Sequence, residues 1–227
     1  RQDAIEELNN KNIDREELRE YLNPVYDLER IMAKISCKSA NPKDLIAFKN
    51  SVEMIPHIKN VLKTFASQLI RSLNEQIDGL SDIFELIDSS IVDDPPVGMR
   101  DGGMIKEGFS SEADELRKAK TEGKQWLVDI EEREKEKTGI RNLKIKYNKV
   151  FGYYLEVTNS FKNMVPPEWT RKQTLTNAER YTTDELKRLE DIILGAEDKL
   201  NELEYELFSQ VREEISRNAA RILNTAK

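Results

Sequence analysis

The side chains best suited to chemistry cluster near residue 175. Arg171, Lys172, Gln173, Asn177 and Arg180 combine cations with amide donors at or near one predicted hairpin, and Lys149 adds a cation in a separate turn. That pattern suits contact with phosphate oxygens, which needs positive charge and hydrogen-bond donors on a rigid platform and conveys no base information. Bond-making chemistry has no comparable constellation. His57 is the only histidine, so a histidine-based metal cluster or a Ser/His triad is excluded by count. No catalytic or metal site is expected, since the many carboxylates fall on solvated helix faces.

The platform that would hold these groups is legible as alternation. Within 139–183, Leu143, Ile145 and Tyr147 alternate with Lys144 and Lys146. Phe151, Tyr153, Leu155 and Val157 then alternate with Gly152, Tyr154 and Glu156, as residues of half-buried strands do. Asn148 and Lys149 fall between the runs, which predicts a two-residue turn with positive φ supplied by Asn. A second pair, 170–175 and 179–183, is separated by Thr176, Asn177 and Ala178. A small antiparallel sheet of about four strands is expected. Tyr147, Phe151, Tyr153, Tyr154 and Trp169 read as its core rather than as stacking platforms for single strands.

Charge is unevenly placed. The chain has 227 residues and a net charge of −7, yet 140–182 holds eight Lys or Arg against three Glu. A basic tip on an acidic remainder is the footprint of a local anion contact. With 35% charged and 38% apolar residues, narrow helices and an elongated shape are expected rather than one globule. The single Cys37 forms no internal disulfide, and neither a presequence nor a membrane-spanning apolar run is read, so a cytoplasmic setting is expected. The opening Arg1 suggests a piece of a longer protein.

Helical spacing of apolar residues runs through 1–40, with a break expected at Asn23-Pro24. Asn41 and Pro42 mark a new start, 57–73 reads as a further helix, and another covers 80–90. After a loop over 93–108 rich in Pro, Gly and Asp, Ser111 opens a capping box and a helix to about residue 137, closed by Gly139. The return helix carries Leu186, Leu189, Ile193, Ala196, Leu200, Leu203 and Leu207 in alternating steps of three and four, a coiled-coil seam. A stutter is expected beyond Leu207, a soft point at Gly195, and an end near residue 224. The predicted fold is mainly α. A helical core (1–110) is followed by an outgoing helix (111–138), a small antiparallel β-sheet inserted at the tip (139–183), and a long antiparallel return helix (184–227).

GIRNLKIKYNKVFGYYLEVTNS, the VP that follows it, and RKQTLTNAERYTTDELKRLE resemble the MutS family of DNA mismatch-repair proteins. The likeness covers the whole chain. DGGMIKEGFSSEADELR is similar to the family's entry into its outgoing lever helix, and RQDAIEEL with LNPVYDLERIMAKISCKSANPKDLIAFKNSV to its helical core. The resemblance implies that the sheet is the family's clamp, the long helices its levers, and RKQTLTNAER its DNA-backbone loop. Lys172 falls where members often have Arg, and Asn177 on the family's Asn. Thr176 stands where some members carry Lys, which leaves one phosphate contact absent or replaced by a hydroxyl.

Further implications are double-stranded DNA as partner, ATP and Mg in a motor region outside this stretch, and a homodimer for the whole protein with this region alone a monomer. The chain contains no G-x-x-x-x-G-K motif followed by Ser or Thr, and no counterpart of the family's mismatch-reading Phe-Tyr-Glu wedge. It is therefore expected to grip DNA without reading it, to link the clamp to a motor, and not to be an enzyme itself. The clamp's presence points to the mismatch-repair branch. The alternative is structural: a coiled-coil hairpin that presents a β-tip to a protein partner.

Overall fold

The computed structural model describes residues 1–227, in two units: Arg1–Phe109 with Asn201–Lys227, and Ser110–Leu200. The architecture is mainly α, with one four-stranded antiparallel sheet in the second unit. No helix is long and apolar enough to cross a membrane.

The first unit contains α1 (Gln2–Asn10), α2 (Asn12–Leu22), α3 (Leu28–Ser36), α4 (Pro42–Glu53), α5 (Ile55–Leu62), α6 (Gln68–Gln76) and α7 (Ser81–Ser90). The later part of α9 (Asp184–Arg217) and α10 (Ala219–Ala226) complete it. At the start of α4, Asn41 accepts the Asp44 N–H at 2.9 Å and Asp44 accepts the Asn41 N–H at 3.0 Å, the reciprocal cap that an Asn before Pro42 favours. Met32, Leu45, Phe48, Ile87, Phe208 and Ile215 lie at the centre of its larger core. His57 is exposed on α5 and stacks on Tyr21 at 5.0 Å.

The periodicity predicts unbroken helix at two places where the chain turns. Lys11 ends α1, its ammonium 5.1 Å from the Phe65 ring centre and donating to the Thr64 carbonyl. Between α5 and α6, Glu7 accepts the N–H groups of Ala66 (2.6 Å) and Ser67 (2.7 Å). It thereby satisfies donors at the new helix start. The acceptor lies 59 residues away in sequence, beyond the reach of any local pattern.

The second unit contains α8 (Ser111–Thr138), β1 (Lys144–Asn148), β2 (Gly152–Thr158), a 3₁₀ helix (Asn159–Met164), β3 (Thr170–Thr174), β4 (Ala178–Thr182) and the first part of α9. Strand order is β1-β2-β4-β3. Leu155, Val157 and Tyr181 on one face of the sheet pack with Leu127 and Ile130 of α8 and Leu186, Leu189 and Ile193 of α9. The cap of α8 falls one residue before its expected place. Ser110, with extended backbone, accepts the Ala113 N–H in place of Ser111. Thr183 caps α9, accepting the Leu186 N–H at 3.1 Å, while Thr182 is held in β4.

The buried line along α9 also departs from the predicted seam. It follows Leu186, Leu189, Ile193, Ala196 and Leu200, then moves to Glu204, Phe208, Val211 and Ile215, leaving Leu203 and Leu207 half-buried. The four-residue steps thus begin at Leu200 rather than at Leu207, the local unwinding that a stutter produces. The helix stops at Arg217 rather than near residue 224: the Asn218 side chain donates to the Glu214 carbonyl at 3.0 Å, a local bond that competes with helix continuation. Beyond the turn, Arg221 on α10 pairs with Asp78 and Asp82, both at 2.9 Å.

Two glycines of the second unit have opposite surroundings. A β-carbon on Gly123 of α8 would lie 2.6 Å from Cγ1 of Ile193 on α9, whereas one on Gly195 would meet nothing within 4 Å. Trp126 on α8 is 48% exposed. Gly123 instead lies buried there, where only the absence of a side chain admits α9.

Gly123→Ala should therefore destabilise the chain by about 1–3 kcal/mol through overpacking, and Gly195→Ala should stabilise it by up to about 1 kcal/mol. Urea unfolding of both variants tests the pair; equal stabilities would refute the close approach. A pH effect follows from Arg221, whose hydrogen bonds hold the carboxyls of Asp78 and Asp82 below their usual range. Their contribution is complete above the unfolded value of about 3.9 and is lost as pH falls through the lower folded values. Arg221→Ala should flatten the acid-side loss of stability, measured by denaturant unfolding from about pH 5 down to 2.

Candidate nucleic-acid interface

Two turns and one irregular strand position the predicted contact residues. In the first turn, Asn148 pairs with Gly152 across the β1–β2 ladder. The Asn148 carbonyl accepts the Phe151 N–H at 3.2 Å, and its side chain accepts the Val150 N–H at 2.8 Å. The connection is thus three residues, Lys149, Val150 and Phe151, and the positive φ belongs to Gly152 at 72°, not to Asn148. This is a turn followed by a glycine bulge. Glu190 of α9 enforces it: its carboxylate accepts the Tyr153 N–H at 2.8 Å and lies 2.1 Å from where a Gly152 β-carbon would stand. Lys149 is exposed in this turn.

The second turn joins β3 to β4 through 175–177, closed by Leu175 N–H donating to the Ala178 carbonyl at 2.8 Å. Asn159 fixes it from outside. Its N–H donates to the Asn177 carbonyl at 3.1 Å and its side-chain amide to the Thr176 carbonyl at 2.9 Å. The Asn177 side chain is exposed. The sequence offers no signal for Asn159, because its partners come from another hairpin.

A bulge in β3 separates residues that strict alternation would keep on one face. Arg171 pairs with Tyr181 and Gln173 with Arg180, so Lys172 is the extra residue. Arg171 lies beside Glu179 at 3.7 Å, and Glu179 also accepts the Tyr181 hydroxyl. Burial, then that bond to Glu179, pushes the Tyr181 phenol up to about 12. Gln173 falls on the other face and accepts Arg180 Nη1 at 2.8 Å. Arg180 is the centre of that face. Its guanidinium covers the Tyr154 ring at 4.4 Å and its Nε lies 3.6 Å from Glu156. Glu156 in turn accepts Lys146 at 2.7 Å, and this bond holds the Lys146 ammonium above its ordinary value.

The six predicted residues are thus not equivalent. Gln173 and Arg180 are brought together and hydrogen-bonded to each other; Arg171 has an acidic neighbour; Lys172 and Asn177 are exposed near one turn; Lys149 stands at the opposite end of the sheet. The aromatics also divide. Tyr154 and Trp169 are buried, whereas Tyr147 is 47% exposed and leans on half-buried Tyr153 at 5.0 Å, and Phe151 lies half-buried in the turn. Tyr147 therefore departs from the predicted core.

The profile of MutS family domain IV matches residues 108–199. Over 227 residues the chain is 62% identical to the DNA mismatch repair protein MutS of Lachnoclostridium phytofermentans, 55% to that of Caldanaerobacter subterraneus subsp. tengcongensis and 51% to that of Ruminiclostridium cellulolyticum. Each comparison covers 100% of this chain and 24–26% of the relative. The chain thus spans about a quarter of the length of these relatives.

Arg180→Ala should destabilise the protein by about 1–2 kcal/mol, since it removes a cation–π contact and a hydrogen bond from a nearly covered face. Lys172→Ala should change stability by less than about 0.5 kcal/mol. Thermal and urea unfolding of the two variants decide whether Arg180 is a strut of the sheet; equal effects would show that it is not.

Proposed function

The chain belongs to the MutS family, and from that premise we propose that it is the DNA-holding region of a mismatch-repair protein, contacting the duplex backbone without reading bases. The observation that carries this reading is Lys172. It is the extra residue of a bulge, exposed and without an acidic partner, on a strand whose other cation is engaged. Asn177, in the turn that follows this strand and is held by Asn159, adds an exposed neutral donor. Cation and amide together suit a phosphate oxygen. The names of the relatives support DNA repair as the setting. ATP and Mg, and a homodimer, are assigned by this reading to other parts of the whole protein, whose long helices would act as levers. A β-tip docked on a protein partner is the competing outcome.

Fluorescence anisotropy of the chain with matched and mismatched duplexes tests the proposal. Binding should be weak, equal for both duplexes, and should fall with salt at a log–log slope of roughly −2 to −4. A preference for the mismatch, or binding that ignores salt, would overturn it. Lys172→Glu should flatten that slope by about 1. Asn177→Ala should weaken binding by about 1 kcal/mol and leave the slope unchanged, because a neutral hydrogen bond releases no counterion.

A further inference from the structure

Three segments converge at the end of the sheet that carries Asn177. The register places Thr158 opposite Ala178, so the close of β2 adjoins the β3–β4 turn. Asn159 bonds the carbonyls of Thr176 and Asn177, while the Asn142 amide donates to the Thr158 hydroxyl at 2.5 Å. The 3₁₀ helix then turns back, bringing Met164 Cε to 3.2 Å from where a Gly139 β-carbon would stand. Residues 139–143, 158–164 and 175–177 therefore share one corner. None of the three segments contains an acid. Two of them carry an exposed cation, Arg141 and Lys162, and neither cation makes an ion pair.

We infer that Arg141 and Lys162 are phosphate-contacting residues of the same interface as Lys172 and Asn177, and that Lys149 lies outside it. The inference rests on the duplex-DNA reading above. Distance supports the division. Asn148 and Gly152 close the sheet at one end, while Thr158 and Ala178 mark the other. At about 3.3 Å per residue, the length of β2 puts Lys149 roughly 20 Å from the Asn177 turn. Screening at physiological salt acts over about 8 Å. A phosphate held at the Asn177 end is therefore beyond the effective range of Lys149, whereas Arg141 and Lys162 belong to loops tied to that end by hydrogen bonds.

Three charge reversals separate location from net charge, because Arg141→Glu, Lys162→Glu and Lys149→Glu alter the total equally. Each variant of the chain is titrated against one matched duplex over a salt series, with melting measured alongside. Arg141→Glu and Lys162→Glu should each weaken binding several-fold and flatten the slope by about 1, while Lys149→Glu should leave the slope unchanged. If a reversal lowers the melting temperature, the corresponding Gln variant replaces it, with the same slope change expected. A salt-dependent wild type whose slope survives both Arg141 and Lys162 substitutions, or falls equally with Lys149→Glu, overturns the inference alone. A wild type with no salt dependence overturns the duplex-DNA reading and the inference with it.

Discussion

An antiparallel sheet of four strands has one apolar face, and that face must be covered before anything on the other side can be held in place. In the second unit the cover is the pair formed by α8 and the start of α9, through Leu127, Ile130, Leu186, Leu189 and Ile193. Polar struts add direction to that contact. Glu131 on α8 accepts the Ile145 N–H at 2.8 Å on the edge strand β1, and Glu190 on α9 accepts the Tyr153 N–H. Burial works against the Glu131 carboxylate, but Lys135, the Ile145 N–H and Lys144 outweigh it and hold the group below its usual range. The same bond covers a donor on an edge strand that would otherwise be open to pairing with another chain.

With one face fixed, the other can be specialised. Arg180, Tyr154, Gln173, Glu156 and Lys146 form a layer tied by a cation–π contact, by hydrogen bonds and by the two cations that share Glu156. Such a layer stiffens the sheet and turns Arg180 and Lys146 toward a carboxylate of the sheet itself. The bulge at Lys172 changes that locally, because an extra residue has no cross-strand neighbour to bind its side chain. Regular pairing thus confers rigidity and irregular pairing confers availability, within a single strand of five residues.

The sequence makes plain those features whose cause is local. Alternation at Leu155 and Val157 marks the buried face, Asn41-Pro42 marks a helix start, and Gly139 supplies the left-handed close of α8. Features with distant causes are hidden. The three-residue turn around Lys149 depends on Gly152 meeting Glu190 of a later helix; the break before α6 depends on Glu7; Asn159 holds a turn that belongs to another hairpin. The bulge is hidden for a different reason. T-R-K-Q-T reads as a continuous strand, and only the pairing with β4 shows that Arg171 and Gln173 face opposite ways. The candidate residues were therefore visible as a group, but their division into struts and exposed donors was not.

That division alters what the basic stretch means. Counted along the sequence, 140–182 carries eight cations against three acids. In space, Lys144 meets Glu131, Lys146 and Arg180 meet Glu156, and Arg171 meets Glu179. Half of the cations thereby have an acidic neighbour, two of them sharing Glu156 and one using an acid supplied by α8, outside the stretch. A phosphate gains from a cation through the counterion its binding releases, and a cation already beside a carboxylate has little charge left to offer. The effective positive field is therefore set by Arg141, Lys149, Lys162 and Lys172, and their distribution over the sheet, rather than the net charge of the stretch, determines where an anion can rest.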